Sequence, residues 1–244
     1  MKAIILAAGR GSRMNSLTDD LPKCLLEVEG KPLLQHQINA LSSAGITDIS
    51  IVTGYKRELL QGRGLVEFYN ARWNQTNMVY SLSCASEWLN ADSCIISYSD
   101  IYYSEDCINK LVDNDSIISL TYDPQWLDLW EARFEDPLSD AETFKIGQNS
   151  YLTEIGNKPN SVDEIEGQYM GLLHFKPEGW RMFSDFLKSL TEREFDRISM
   201  TAALQMLILE KRASVKAVPC STPWGEFDNA NDLKIYKSFR KNNL

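Results

Sequence analysis

The chain has only two histidines, His36 and His174, and its five cysteines (Cys24, Cys84, Cys94, Cys107 and Cys220) show no C-x-x-C spacing. That leaves no imidazole–thiolate set for a zinc site and no Cys–His pairing for nucleophilic catalysis. The odd count and scattered positions read as reduced, mostly buried thiols. No apolar run approaches the roughly 20 residues that span a bilayer. The apolar run at residues 3–8 is too short for a signal-peptide core. The expectation is a cytoplasmic protein with no membrane partner. An excess of positive charge is missing too: the formal net charge of −9 argues against nucleic acid as a partner. The phosphate loop G-x-x-x-x-G-K-[ST] is absent, and Met14 stands where a dinucleotide fingerprint needs its third glycine.

What is present is concentrated in residues 1–32. A short apolar run suited to a buried parallel strand leads into Leu6-Ala7-Ala8-Gly9-Arg10-Gly11-Ser12-Arg13, and Pro22-Lys23 follows. Gly9 and Gly11 allow a sharp turn and close approach of the backbone to a ligand. Successive backbone N–H groups in such a loop form a concavity for anions, and Arg13 and Lys23 add positive charge. The parts describe a site for a nucleoside triphosphate. Charge distribution agrees. Residues 1–31 carry five bases against four acids, whereas residues 123–170 carry eleven acids against Arg133, Lys145 and Lys158. A locally basic loop in an acidic chain suits a small polyanion.

Hydrophobic patterning predicts strands at residues 3–8, 48–53, 65–69, 93–97 and 116–121, with helices at 32–43, 78–89 and 108–112 between them. Further strands are expected at 144–146, 151–155, 168–175 and 215–219, and helices at 180–190, 199–211 and 229–240. This alternation implies an α/β fold: a Rossmann-like, mostly parallel mixed sheet with helices on both faces. The chain reads as a single domain over 1–244, with a nucleotide-binding half (1–121) and an acceptor-binding half (122–244). Ligands in such folds bind beyond the carboxyl ends of the strands, where the Gly9 loop and Asp100 both fall. By itself Asp100 suits either a metal ligand or a turn and cap residue. Trp126, Trp130 and Phe134 share a helix face, which fits a core stripe better than a ligand cage. The acids interleaved with them are candidates for holding an amine on the acceptor. Residues 137–143 lack apolar periodicity and suit a lid or acceptor loop.

The string at 6–13 followed by Pro22-Lys23 resembles the signature of the sugar-phosphate nucleotidyltransferases, or pyrophosphorylases. The resemblance implies that Leu6, Ala7, Ala8, Gly9, Gly11 and Ser12 wrap a triphosphate, with Arg13, Lys23 and Lys158 as its catalytic cations. Asp228, in Trp224-Gly225-Glu226-Phe227-Asp228-Asn229, resembles that family's second metal-binding acid, so Asp100 and Asp228 are implied to hold Mg²⁺. Sugar-specific members carry Glu-Lys-Pro where this chain has Asn157-Lys158-Pro159. The stretch from Asn77 to Leu82, with Asn77 and Ser81 as nucleotide contacts, is similar to bacterial phosphocholine and aminoethylphosphonate cytidylyltransferases. That branch implies CTP as donor and a small amine-bearing phosphate or phosphonate as acceptor: phosphocholine, aminoethylphosphonate, or a phosphorylated amino acid such as phosphoglutamine. Gln168, Tyr169, Thr201 and Glu226 are the acceptor-binding candidates. The alternatives are a sugar-1-phosphate nucleotidyltransferase and a regulatory subunit that binds nucleotide without catalysis. Homo-oligomerisation is left open.

Overall fold

The computed structural model describes residues 1–229 and 231–236, apart from the side chains of Arg13, Asn15 and Ser16. Seven strands form the main sheet: β1 (Lys2–Ala7), β2 (Ile49–Thr53), β3 (Val66–Tyr69), β4 (Cys94–Tyr98), β5 (Ile118–Asp123), β6 (Gln168–Phe175) and β7 (Lys216–Pro219). Their order is β7-β5-β6-β4-β1-β2-β3, so both halves of the chain build one sheet. β1 pairs in parallel with β2 and β4, and β3 and β7 also pair in parallel with their neighbours. β6 alone runs antiparallel, between β4 and β5. The mostly parallel mixed sheet expected from the alternating pattern is therefore the fold. Ala3, Ile4 and Ile5 in β1 and Ile95 and Ile96 in β4 are fully buried, as a strand covered on both faces requires.

Helices α1 (Leu33–Ser43), α2 (Met78–Ser83), α3 (Ser86–Ala91), α4 (Glu105–Val112), α5 (Trp126–Arg133), α6 (Pro177–Leu187), α7 (Glu192–Arg197) and α8 (Met200–Leu209) connect and cover the strands. Several boundaries depart from the sequence expectation. The single helix expected at 78–89 is split into α2 and α3 at Cys84–Ala85. β5 begins two residues later than expected, and α6 starts at Pro177, whose fixed φ suits a first helical position. α7 has no apolar periodicity; a capping box between Thr191 and Glu194 defines its start. Residues 232–236 of the expected last helix are helical, and the rest of that segment past Tyr236 lies outside the described residues.

The cysteine expectation needs correction. Cys107 in α4 and Cys220 just after β7 form a disulfide, and only Cys24, Cys84 and Cys94 are free. The partners are 113 residues apart and meet only because β7 lies beside β5, so spacing could not reveal them. Trp126 and Trp130 are buried, and Trp126 Nε1 donates to the Ile165 carbonyl at 3.2 Å. The aromatic stripe is core. Among the described residues no helix is long and apolar enough to cross a membrane.

The antiparallel course of β6 has a consequence for the site. Its first residues, Gln168 and Tyr169, lie at the same sheet edge as the last residues of β4 and β5. The register breaks between Tyr169 and Leu173, and Gly171 there has φ +78°. A Cβ on Gly171 would stand 2.9 Å from the Tyr98 ring, so the glycine makes room for that ring at the cleft.

Candidate active site

The phosphate-loop candidate leaves β1 at the carboxyl edge of the sheet. Gly11 has φ +67°, which a side chain would strain, and its missing Cβ is where the Lys23 stem lies, 3.0–3.3 Å away. The loop continues into a 3₁₀ segment, Ser12–Thr18. Thr18 Oγ1 donates back to the Gly11 carbonyl at 3.0 Å. Tyr55, after β2, braces the segment by donating from its hydroxyl to the carbonyl of Asp19 at 2.7 Å. Its backbone N–H reaches the Ala8 carbonyl at 2.9 Å.

These elements open on a cavity of about 170 Å³. It is lined by Leu6 of β1, by Ala8, Gly9 and Gly11 of the loop, by Lys23 and Asp100, and by Trp73, Thr76, Asn77 and Ser81. Ala7 is buried within β1, and Ser12 opens the 3₁₀ segment. Arg13 occupies that segment, and its side chain lies outside the described residues. Asn77 caps α2: its Oδ1 accepts from Met78 N at 2.7 Å, and its Nδ2 donates to the Arg197 carbonyl at 3.2 Å. Ser81 Oγ accepts from Asn70 Nδ2 at 3.0 Å. Both side chains therefore shape the wall through protein contacts of their own.

Asp100 and Asp228 are 128 positions apart in the sequence and meet across a two-stranded ribbon. Ile101–Tyr102 pairs antiparallel with Gly225–Glu226, and Phe227 N donates to the Asp100 carbonyl at 3.0 Å. Buried Gln37 of α1 fixes the turn by donating to the carbonyls of Tyr98 and Ile101, both at 2.7 Å. Lys23 Nζ then donates to Asp100 Oδ2 at 2.8 Å and to Asp228 Oδ1 at 2.7 Å. Burial opposes the lysine charge, but the two carboxylates outweigh it and raise its pKa. Asp100 Oδ1 is buried and has no hydrogen-bond partner among the described residues. An oxygen pair with one unsatisfied lone-pair set fits a divalent ion that prefers oxygen ligands. Among the described residues no cluster of three or more His, Cys, Asp or Glu could hold a metal unaided. An ion held by Asp100 and Asp228 would need the rest of its shell from nucleotide phosphates and water.

Arg133 was not singled out from the sequence. Its side chain is 1% exposed and donates to Glu226 Oε2 at 3.2 Å and Asp232 Oδ1 at 3.1 Å, with Asp228 Oδ2 3.6 Å away. Asp232 in turn accepts from the backbone N–H groups of Asp228 and Asn229 at 2.7 and 2.9 Å. Burial and the neighbouring Asp228 carboxylate push the Glu226 carboxyl up to about 8, against the pull of Arg133 and Lys23. The one signal available was a lone arginine inside a run of acids. We expect Arg133→Met to destabilise the fold by about 3–5 kcal/mol in a denaturant titration, because it leaves buried Asp232 and half-buried Glu226 without their cation. A loss under about 1 kcal/mol would show that the network does not depend on it.

On the far side of Asp100, the rings of Tyr98 and Tyr169 meet edge-on at 5.7 Å. Both phenols are held protonated by burial, and the Glu142 and Glu226 carboxylates raise them further. Glu142 Oε1 accepts from Thr201 Oγ1 at 3.3 Å; burial raises its pKa. Gln168 Oε1 is buried with no partner among the described residues. Gln168, Tyr169, Thr201 and Glu226 thus fall near one another, with Glu142 from the 137–143 segment expected as a lid or acceptor loop and with Tyr98 as a member the sequence reading missed. Lys158 is placed apart: it is exposed, is not among the cavity-lining residues, and donates to the Leu138 carbonyl.

A glycine-bearing loop after the first strand, with a lysine and two acids at the same edge, suits a nucleotidyltransferase. The chain belongs to the MobA-like NTP transferase domain family, which matches residues 3–156. Over 251 aligned residues it is 39% identical to the CTP:phosphoglutamine cytidylyltransferase of Campylobacter jejuni subsp. jejuni, covering 96% of this chain and 98% of that one. It is 37% identical over 132 residues to the choline-phosphate cytidylyltransferase of Streptococcus pneumoniae, covering 45% of this chain and 57% of that protein. Among solved structures, the inositol-1-phosphate CTP transferase of T. maritima shares the fold at TM-score 0.78 and 20% identity, over 98% of this chain and 95% of that one.

Proposed function

We propose that the chain transfers CMP from CTP to a small phosphorylated acceptor that bears an amine, and releases pyrophosphate. Phosphoglutamine is the acceptor best supported, since the cytidylyltransferase named for it aligns over nearly the whole of both chains. The observation that carries the chemistry is the meeting of Lys23, Asp100 and Asp228 beneath the Gly9–Gly11 loop.

In this reading the loop N–H groups and Lys23 hold the triphosphate, with Arg13 as a further cation. Asp100 and Asp228 hold Mg²⁺, which when bound supplies charge neutralisation at the phosphates. An acceptor phosphate oxygen attacks the α-phosphorus. A new P–O bond forms as the bond to the bridging oxygen breaks, and pyrophosphate leaves with that electron pair. The attacking oxygen is already ionised, so the protein needs no general base. Its task is to align two mutually repelling anions and offset their charge. The scarcity of histidine agrees with this. Gln168, Tyr169 and the carboxyl groups of Glu142 and Glu226 form the acceptor side, where an incoming ammonium group would favour the ionised form of both acids and the aromatic rings suit the same cation. Lys158 lies too far into its own loop contact to be assigned a phosphate here, and we leave it as a candidate for the acceptor loop.

Pyrophosphate release with Mg²⁺ tests the reading, using each of the four nucleoside triphosphates against phosphoglutamine, phosphocholine, aminoethylphosphonate and hexose 1-phosphates. CTP with an amine-bearing acceptor is the expected productive pair. Turnover confined to a hexose 1-phosphate would return the chain to the sugar-specific class. Glu142→Gln is expected to raise acceptor KM about tenfold while CTP KM stays constant, since it removes one charge facing the ammonium. An unchanged acceptor KM would remove Glu142 from the acceptor site.

A further inference from the structure

Lys23 is placed where the proposed ion would sit. Its ammonium touches one oxygen of each acid, at 2.8 and 2.7 Å, and its side chain is only 8% exposed. Mg²⁺ binds oxygen at about 2.1 Å and takes up the lone pairs that an ammonium now occupies. A divalent ion and an ammonium held on the same two carboxylates at that range repel each other strongly, which favours one over the other. Building on the reading of Asp100 and Asp228 as metal acids, we propose that Lys23 is a surrogate cation: it neutralises this acid pair until a divalent ion displaces it, and the displaced ammonium then goes to the nucleotide phosphates.

Four observations support the exchange. Asp100 and Asp228 are themselves only 24% and 16% exposed, so the pair needs a counter-charge before any ligand arrives. The lysine satisfies Asp100 incompletely, because Oδ1 stays buried without a partner. The Lys23 stem lies against the side of Gly11 that lacks a Cβ, so the lysine already borders the phosphate loop to which its ammonium would move. Among the described residues, the neighbouring Arg133 cannot take this part. Arg133 is fixed between Glu226 and Asp232 and reaches Asp228 only at 3.6 Å.

The exchange makes metal and nucleotide binding cooperative. Metal alone must break two charged hydrogen bonds and leave Lys23 without a partner. With nucleotide present, the phosphates receive the ammonium, so each ligand raises the affinity for the other by the same factor. The site then assembles its charges only when both are bound.

Mn²⁺ binding to the nucleotide-free protein, followed by the electron paramagnetic resonance of the free ion, tests this. Lys23→Gln and Lys23→Met are both expected to bind Mn²⁺ about tenfold tighter than the unaltered protein. They are also expected to lose most of the mutual enhancement between Mn²⁺ and CTP. Folded variants that bind Mn²⁺ no tighter than the parent would overturn the exchange. The unaltered protein gives a second reading. Reductive methylation of Lys23, followed by peptide mass spectrometry, should rise several-fold at saturating Mn²⁺. An unchanged rate would overturn the proposal even if neither variant folded. Asp100→Asn separates the two levels of the argument: if it leaves Mn²⁺ affinity unaltered, the metal assignment itself is wrong.

Discussion

Replacing Lys23 by methionine will lower kcat/KM by at least about a hundredfold, on the order of 3 kcal/mol of transition-state stabilisation. The stem of methionine still fills the space beside Gly11, so the loop keeps its shape while the charge is lost. The loss should fall on kcat more than on CTP KM, because the negative charge that the ammonium meets grows as the bond to pyrophosphate breaks. The folded variant will also show weaker coupling between metal and nucleotide. Steady-state kinetics of a variant whose folding is confirmed by thermal melting makes the check. Near-normal kcat/KM would remove Lys23 from the reaction.

Asp228→Asn is expected to cost about a hundredfold to a thousandfold in kcat/KM at fixed Mg²⁺, the equivalent of about 3–4 kcal/mol. An amide keeps the size of the carboxylate and can still accept from Lys23. What it removes is one of two charges available to the ion. Raising Mg²⁺ should recover part of the activity, since the defect lies in ion affinity. The backbone around residue 228 should survive, because Asp232 holds the Asp228 and Asn229 N–H groups independently of the 228 side chain. A variant with parental Mg²⁺ dependence would contradict the metal assignment. Asp100→Asn is the matched control, on the other strand of the ribbon.

These residues differ in how far the sequence revealed them. β1 and the loop after it were legible because their signal is local: an apolar run, two glycines and a basic residue within a few positions. The sheet class followed from the alternation of strands and helices. The antiparallel β6 did not, because its direction depends on how residues 124–167 travel and not on its own pattern. Asp228 was found only through a resemblance around Trp224–Asn229. Its distance to Asp100 is set by a ribbon of two residues on each strand, too short for periodicity to register. Arg133 and the Cys107–Cys220 disulfide were missed for the same reason: each joins segments distant in sequence, and spacing carries no information about such contacts. Asn77 and Ser81 fell at the cavity as expected, yet their side-chain bonds serve α2 and Asn70. Lys158 followed the motif into a loop whose own carbonyl holds it. α7 had a readable signal, the Thr191–Glu194 capping box, with no hydrophobic stripe to draw attention to it.

The ³¹P spectrum of the product formed from CTP, phosphoglutamine and Mg²⁺ tests the central claim most directly. The account predicts two mutually coupled phosphorus signals, one from the CTP α-phosphate and one from the acceptor, together with one equivalent of pyrophosphate. CDP and inorganic phosphate, or CMP with an unaltered acceptor, would contradict it, because neither outcome joins the two phosphorus atoms through a new bond.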